Sequence, residues 1–324
     1  GKIRLINNTV YANGYKGVLQ TGSGTLYVRN TIVGSNTGGD LQTLSSADID
    51  FSLIGDQKLS GSNLKGEAQM TNPAADDFSL ASGSPAINAG SNEAAELPFL
   101  DFRRKMRVAS GSTFGDTGPV DIGALENGST YPLVFPLMAN GNQSALGDNY
   151  TTGLALVDYS SEATLANFAA YSPSGSYLSA STNPATQALS AGSQISTLAY
   201  QLFGFDSSQS NLGGILTGSA QRLAGFFLLF DSEFRRFAEG IPVSDRTTTD
   251  LIFPYHLSDT TTKTVYCLFN PGIRAANIKA VWYSASGNAS GSVQTAIVAP
   301  RGQILLHFDG MTVASGYVRI ESDR

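Results

Sequence analysis

The sequence predicts an all-β protein that begins as a solenoid of short coils and continues as two longer β-sandwich units. Only 14% of the 324 residues are charged and glycine is abundant, a composition typical of strands joined by tight turns. Residues 1–75 repeat with a period in the low twenties, and residues 131–324 contain a second, longer repeat. Residues 76–126, which lie between these two regions, show neither the short repeat nor the long one.

The short repeat of residues 1–75 is carried by apolar and hydroxyl-bearing residues that recur every 21 or 22 positions. Such a period places like residues in columns on successive turns of a solenoid, because one turn alone is too small to bury a core. In this alignment Asn8 lies over Asn30 and forms one step of an amide ladder. The apolar members are Ile6, Val28 and Ile49, and the hydroxyl-bearing members are Thr9, Thr31 and Ser52.

The stretch that follows carries an ordered series of motifs. They run from Leu80-Ala81-Ser82-Gly83-Ser84-Pro85-Ala86-Ile87-Asn88-Ala89-Gly90 to Val120-Asp121-Ile122-Gly123-Ala124-Leu125-Glu126. Together with the coils before it, this series resembles the C-terminal end of bacterial secreted right-handed parallel β-helix proteins, with their closing segment of the choice-of-anchor type. The resemblance covers residues 1–126. It implies a capped β-helix end and an extracellular or cell-surface location, and it implies no activity.

A cap is also expected on physical grounds, because an open β-helix end exposes unpaired backbone groups. The charged residues expected to pair across this structural cap are Asp101, Arg107, Asp121 and Glu126. The alternative is a polyanion-binding or lyase-like site built from the basic cluster Arg103, Arg104, Lys105 and Arg107. No run of aspartates on stacked turns accompanies that cluster, so the structural interpretation is favoured.

The second half contains two related units, predicted as Ig-like β-sandwich modules over residues 131–245 and 250–324. Phe135-Pro136-Leu137 returns as Phe253-Pro254-Tyr255, and the segment 152–158 returns as 264–270. The second unit has no counterpart of the Phe226–Phe230 strand. Either the sequence is truncated, which is favoured, or a neighbouring copy supplies the strand by β-augmentation.

The composition excludes several classes of partner. A net charge of −6 and a pI near 4.9 leave no electrostatic footprint for nucleic acid, and no apolar run is long enough for membrane insertion. Cys267 is expected to be a small buried hydrophobe, and His256 and His307 have no metal-ligand spacing. We therefore predict no catalytic residue, no cofactor and no metal site, although Asp48, Asp50 and Asp56 could offer oxygens to Ca²⁺ on one coil.

Three tyrosines are candidates for ligand binding. Tyr11, Tyr15 and Tyr27 could form an aromatic platform on which sugar rings stack; the alternative is that they are ordinary packed side chains.

These observations favour a non-catalytic bacterial cell-surface protein with an adhesive or extracellular structural role, whose partners would be glycans or neighbouring copies of itself. One alternative is the C-terminal part of a polysaccharide lyase or hydrolase with its active site upstream. Another is a self-assembling filament subunit completed by strand donation.

Overall fold

The computed structural model describes residues 1–44, 47–108, 114, 118–206, 209–231, 233, 235, 237–256, 263–308 and 316–324. The fold is all-β, as predicted: the helices of the described residues are a five-residue α-helix, Ala199–Phe203 (α1), and a three-residue 3-10 helix, Pro73–Ala75. The chain divides into two compact units, Gly1–Thr130 and Tyr131–Arg324. No helix in the described ranges has the length and apolar character needed to cross a membrane.

The N-terminal unit is built from short strands that pair in parallel with strands of the next turn of the chain. Three ladders result, β1-β4-β7, β2-β5-β8-β9 and β3-β6. The strands are Lys2–Ile6 (β1), Thr9–Tyr11 (β2), Val18–Leu19 (β3), Thr25–Arg29 (β4), Ile32–Gly34 (β5), Leu41–Gln42 (β6), Ala47–Asp50 (β7), Leu53–Ile54 (β8) and Leu64–Lys65 (β9).

The register of the first coil differs by one residue from the sequence alignment. Val28 pairs with Ile49, as aligned, but its partner in β1 is Leu5 and not Ile6. The amide step is accordingly formed by Asn7, whose Oδ1 accepts a hydrogen bond from Asn30 Nδ2 at 3.2 Å. Asn7 and Asn30 both have left-handed backbone angles, with φ of 53° and 49°. Asparagine tolerates this conformation better than most residues, so the two asparagines set the register at the turn.

The closing segment, residues 76–126, packs against the coils. Its strand Asp77–Leu80 (β11) forms an antiparallel hairpin with the preceding Met70–Asn72 (β10), and the rest of the segment, as far as the structure describes it, contains no further strand. Hydrogen bonds connect it to the coils: Gly123 N–H donates to Asn30 O at 2.8 Å, and Ala124 N–H donates to Thr9 Oγ1 at 3.0 Å. Apolar residues of the coils and of the closing segment share a core, which contains Ile32, Leu53, Ala68, Leu80, Ala86 and Ile122.

The C-terminal unit begins with eight strands in one hydrogen-bonded system, which we call the first module (residues 131–245). Their order is β15-β14-β17-β12-β13-β18-β19, with β16 also paired to β13. The strands are Tyr131–Gln143 (β12), Asp148–Asp158 (β13), Thr164–Tyr171 (β14), Ala185–Leu189 (β15), Gln194–Leu198 (β16), Asn211–Ser219 (β17), Leu223–Asp231 (β18) and Phe237–Pro242 (β19).

The second module (residues 250–324) has a four-stranded sheet, β20-β25-β22-β23, and a two-stranded sheet, β21-β24, around a core of its own. Gln303 joins the modules: its Nε2 donates to Pro136 O at 2.6 Å and to Gly213 O at 2.7 Å. The strands are Asp250–His256 (β20), Tyr266–Phe269 (β21), Ala276–Ser284 (β22), Ala289–Val298 (β23), Gln303–Leu306 (β24) and Gly316–Ser322 (β25).

Candidate functional site

A buried ion pair lies at the centre of the closing segment. Arg107 Nη1 and Glu126 Oε1 are 2.7 Å apart, and their side chains are only 3% and 5% exposed. The same guanidinium donates to the carbonyl oxygens of Gly123 and Ala124, at 3.2 and 2.9 Å. The second carboxylate oxygen of Glu126 accepts the N–H of Asp121 at 2.9 Å. The pair therefore holds the 121–126 backbone in place.

The other two acidic residues of the predicted cap also bond the backbone. Asp121 accepts the amides of Asn88 and Asn127, at 2.8 and 2.7 Å. Asp101 accepts the amides of Lys105 and Glu126, at 2.7 and 3.0 Å. Each of these two carboxylates therefore holds two backbone amides. The four residues thus form one connected cluster within the N-terminal unit.

Burial raises the pKa of Glu126, while the Arg107 guanidinium and the amide of Asp121 act in the opposite direction. Arg103, in the same basic cluster of the sequence, differs from Arg107 because it is 47% exposed and pairs with Asp77 at the surface, 2.8 Å away. The structure therefore separates Arg107, which is buried inside the closing segment, from Arg103 on its surface.

The three tyrosines proposed for glycan stacking lie on different parts of the coils. Tyr27 is in β4 with the Arg4 guanidinium over its ring, and Tyr11 is in β2, a different ladder, edge-on to Phe78 at 6.1 Å. Tyr15 follows β2 and is 67% exposed. The structure therefore does not bring the three rings together in a single platform. Of the three tyrosines, Tyr15 is the exposed one.

The aspartates considered as Ca²⁺ ligands have other partners. Asp48 pairs with Arg29 at 2.7 Å, Asp50 accepts the amide of Ser62 at 2.7 Å, and Asp56 accepts the amide of Asp40 at 2.9 Å. Within the described ranges, no group of three or more His, Cys, Asp or Glu side chains is placed to hold a metal ion.

The second module contains a histidine–tyrosine pair that the sequence does not indicate, because ten residues separate the two positions. His256 is fully buried, and its Nδ1 lies 2.8 Å from the Tyr266 hydroxyl. Trp282 and Phe308 present ring edges to the same imidazole. Burial lowers the pKa of His256 and raises that of Tyr266. Both groups are thus neutral parts of an aromatic core, and His307 lies one residue beyond β24 at the exposed surface.

We expect the second module to lose stability as the pH falls below 6.5, the ordinary pKa of histidine. The unfolded chain takes up a proton there while buried His256 does not, so the free energy of unfolding falls by up to about 1.4 kcal/mol per pH unit. Urea unfolding at several pH values, followed by the fluorescence of Trp282, measures this slope. His256→Phe should flatten the slope; because His307 is present in both proteins, an unchanged slope would contradict the assignment.

Cys267 is part of the contact between the modules. Its sulfur lies 3.0 Å from Pro136 O and 3.1 Å from Gln303 Nε2, and burial raises the pKa of the thiol to about 12. The thiol is therefore protonated and packed at neutral pH. Gln303 was not singled out in the sequence, since its partners are 167 and 90 positions away.

No protein-family model and no curated protein matches this chain. A structure described as Thermotoga maritima 1070 is similar over 36% of this chain and 93% of its own, with 11% identity and a TM-score of 0.28. The chaperone–tip adhesion subunit complex CsuC–CsuE of the Csu pili of Acinetobacter baumannii is similar over 51% of this chain and 82% of its own, with 11% identity and a TM-score of 0.14. Scores this low carry no argument about fold or function.

Proposed function

We propose that this protein is a non-catalytic structural or adhesive element of the bacterial cell surface. Its N-terminal unit would be the capped end of a right-handed parallel β-helix, and its C-terminal unit a pair of Ig-like sandwich modules. Parallel ladders on successive turns support the first part, and two sets of antiparallel sheets, each with an apolar core, support the second.

The observation that carries the proposal is the use made of the charged residues in the cap. Arg107, Asp101, Asp121 and Glu126 all bond to one another or to backbone amides and carbonyls, and Arg107 and Glu126 are almost fully buried. General acid–base chemistry needs a titratable group within reach of a substrate. The closing segment instead uses its titratable groups to hold its own backbone, as a cap that resists unravelling of the coils requires.

For the adhesive part of the proposal, the candidate contact is Tyr15, with Lys16 beside its ring. The lysine Nζ lies 5.9 Å from the ring centroid, and the tyrosine is 67% exposed. An exposed aromatic ring next to a cation is suited to stack on a sugar ring and to bind an acidic substituent on it. Acidic bacterial polysaccharides are therefore the glycans we would test first.

We expect the chain to bind such polysaccharides without cleaving them, and Tyr15→Ala to weaken binding by about tenfold, the loss of one stacking contact. Binding is measured on a glycan array, and turnover by the absorbance of unsaturated uronides and by reducing-end release. Phe102→Ala is the matched control, because Phe102 is also an exposed aromatic, at 84%, but lies in the closing segment. Release of products, or equal loss of binding in both variants, would reject the proposal.

A further inference from the structure

Asp158 and Asn270 occupy equivalent places in the two modules. Asp158 ends β13, and Asn270 directly follows β21. Asp158 N–H donates to Ser193 O at 2.9 Å, and Asn270 N–H donates to Gly302 O at 2.9 Å. The Oδ1 atom of each side chain also accepts the N–H two residues further along the chain, at 2.8 Å in the first module and 2.9 Å in the second. The Oδ2 atom of Asp158 therefore corresponds to the Nδ2 atom of Asn270.

This second side-chain atom has opposite hydrogen-bonding character in the two modules. Asn270 Nδ2 donates to three carbonyl oxygens, those of Arg274 at 2.7 Å, Ala299 at 3.1 Å and Val298 at 3.2 Å. Asp158 Oδ2, as a carboxylate oxygen, accepts hydrogen bonds and donates none. Asp158 is fully buried, and among the described residues no donor bonds to its Oδ2. The first module thus has a buried acceptor where the second has a satisfied donor.

The register of the strands identifies the first of the carbonyl oxygens near Asp158. Thr164 pairs with Leu189 in β14–β15, as Ala276 pairs with Val298 in β22–β23. The carbonyl of Leu189 in the first module therefore corresponds to that of Val298 in the second.

The turn after β15 and the loop after β13 supply two more carbonyls. Ser190 O accepts an N–H across the turn at 2.9 Å, as Ala299 O does in the second module. Glu162 follows the aspartate by four residues, as Arg274 follows the asparagine. The equivalence therefore places Oδ2 of the aspartate opposite three carbonyl oxygens, those of Glu162, Leu189 and Ser190.

A further buried oxygen that needs a partner belongs to Thr164, the residue paired with Leu189. It takes the place of Ala276 in the second module. Thr164 is buried, and no hydrogen bond to its Oγ1 is formed within the described ranges. Compared with the second module, the first has therefore gained two buried oxygens at this site and lost the amide that would bond to the carbonyls. Such a concentration of oxygens is unfavourable unless a positively charged group lies among them.

We propose that this site of the first module binds a Ca²⁺ ion. Asp158 Oδ2 and the three carbonyl oxygens would be its ligands, and water would complete the coordination on the side of Glu162 and Ser190, which are exposed residues. Ca²⁺ binds oxygens of carboxylates, backbone carbonyls and water together, in a flexible geometry. Such a site needs only one acidic side chain, and it does not depend on the adhesive role proposed above.

The low charge of the site sets its expected affinity and selectivity. With a single carboxylate, we expect a Kd of about 10⁻⁴ to 10⁻³ M, the range of extracellular calcium-binding modules. Mg²⁺ requires a nearly ideal octahedron and gives up its water ligands reluctantly. Carbonyls that are fixed by the pairing of β14 with β15 do not readily adapt to that geometry, so Mg²⁺ should bind more weakly than Ca²⁺.

The first test is a Ca²⁺ titration of the whole chain, with binding measured by calorimetry and stability by hydrogen exchange of the amides in β13 and β17. At about 10 mM Ca²⁺, exchange through unfolding of the first module should slow by about 10- to 100-fold relative to EDTA, because the ion binds the folded state alone. The same ionic strength of NaCl, and the same concentration of Mg²⁺, are the controls. Absence of binding at this concentration, or equal slowing by Mg²⁺ or NaCl, would overturn the proposal.

The second test is Asp158→Asn, which gives the first module the side chain that the second module has. Without Ca²⁺, this variant should exchange more slowly than the unsubstituted chain, by about tenfold, because the new amide can donate to the three carbonyls. Its response to Ca²⁺ should fall below about twofold, since the only charged ligand is gone. Asp206→Asn, at an exposed aspartate of the same module, is the matched control and should keep the full response. A Ca²⁺ response that survives in Asp158→Asn, or that is lost equally in both variants, would overturn the proposal.

Discussion

Replacing Arg107 by methionine is expected to lower the free energy of unfolding of the N-terminal unit by about 3–5 kcal/mol, because it leaves the buried carboxyl group of Glu126 without its counter-charge. Methionine preserves much of the apolar stem of arginine, so the loss reports on the charge and its hydrogen bonds. Hydrogen exchange of the amides in β4 and β5 measures the change in the unit concerned. Arg103→Met is the matched control: its ion pair with Asp77 is exposed, and removal should cost less than about 1 kcal/mol.

The pH dependence of this loss distinguishes charge from packing. Burial already raises the pKa of Glu126 above its ordinary value of 4.5, and without Arg107 the rise is less opposed. The folded wild type already holds a proton that the unfolded chain releases above pH 4.5, and without Arg107 the folded variant holds it to a still higher pH. The variant therefore goes on losing stability above about pH 8, where the wild type no longer does. Adding Glu126→Gln to Arg107→Met should remove this dependence and recover part of the stability. A loss that is equal at pH 7 and pH 10, and that Glu126→Gln does not relieve, would mean that only packing was lost.

Replacing Phe227 by alanine is expected to cost about 3–5 kcal/mol in the first module, the usual result of truncating a fully buried aromatic side chain. Phe227 has no exposed surface and contacts Phe135 at the centre of the module. Its neighbour Phe226 lies in the same strand, on the opposite face, and is 43% exposed. Phe226→Ala should therefore cost less than about 1 kcal/mol.

The measurement is hydrogen exchange of the amides in β13 and β17, which flank the cavity that Phe227→Ala would create. The contrast between the two phenylalanines tests the assignment of faces in β18. Equal destabilisation by the two substitutions, or greater destabilisation by Phe226→Ala, would show that the assignment of faces is wrong.

The strands and their approximate places could be predicted because the two repeats act through local spacing. The column of Val28 and Ile49 is paired as the period indicates, but the preceding step is one residue longer, and Leu5 takes the place assigned to Ile6. A period averaged over three coils does not show which turn holds the extra residue. The position of the extra residue depends on the left-handed conformation of Asn7 and on the hydrogen bond that Asn7 accepts from Asn30. Both become favourable only when the coils are stacked.

In the candidate site, too, the sequence predicted some features and only the structure showed the others. Asp101, Arg107, Asp121 and Glu126 could be chosen from the sequence because charged residues inside an apolar closing segment need partners. The partners themselves could not be chosen, since most are backbone amides and carbonyls of residues distant in sequence, such as Asn88 for Asp121. Likewise, the sequence predicted that Cys267 is buried as a small hydrophobe, and the structure shows that Pro136 and Gln303 contact it.

By itself, the sequence determined the all-β class, the change from a short repeat to a long one, and the polar residues that hold the closing segment. The tertiary structure decided the register of the first coil, the neutral state of the His256–Tyr266 pair and the contact of Gln303 with Pro136 and Gly213. The physical reason is that periodicity and composition act along the chain, whereas hydrogen bonds to backbone groups and the desolvation of side chains depend on which distant segments pack together.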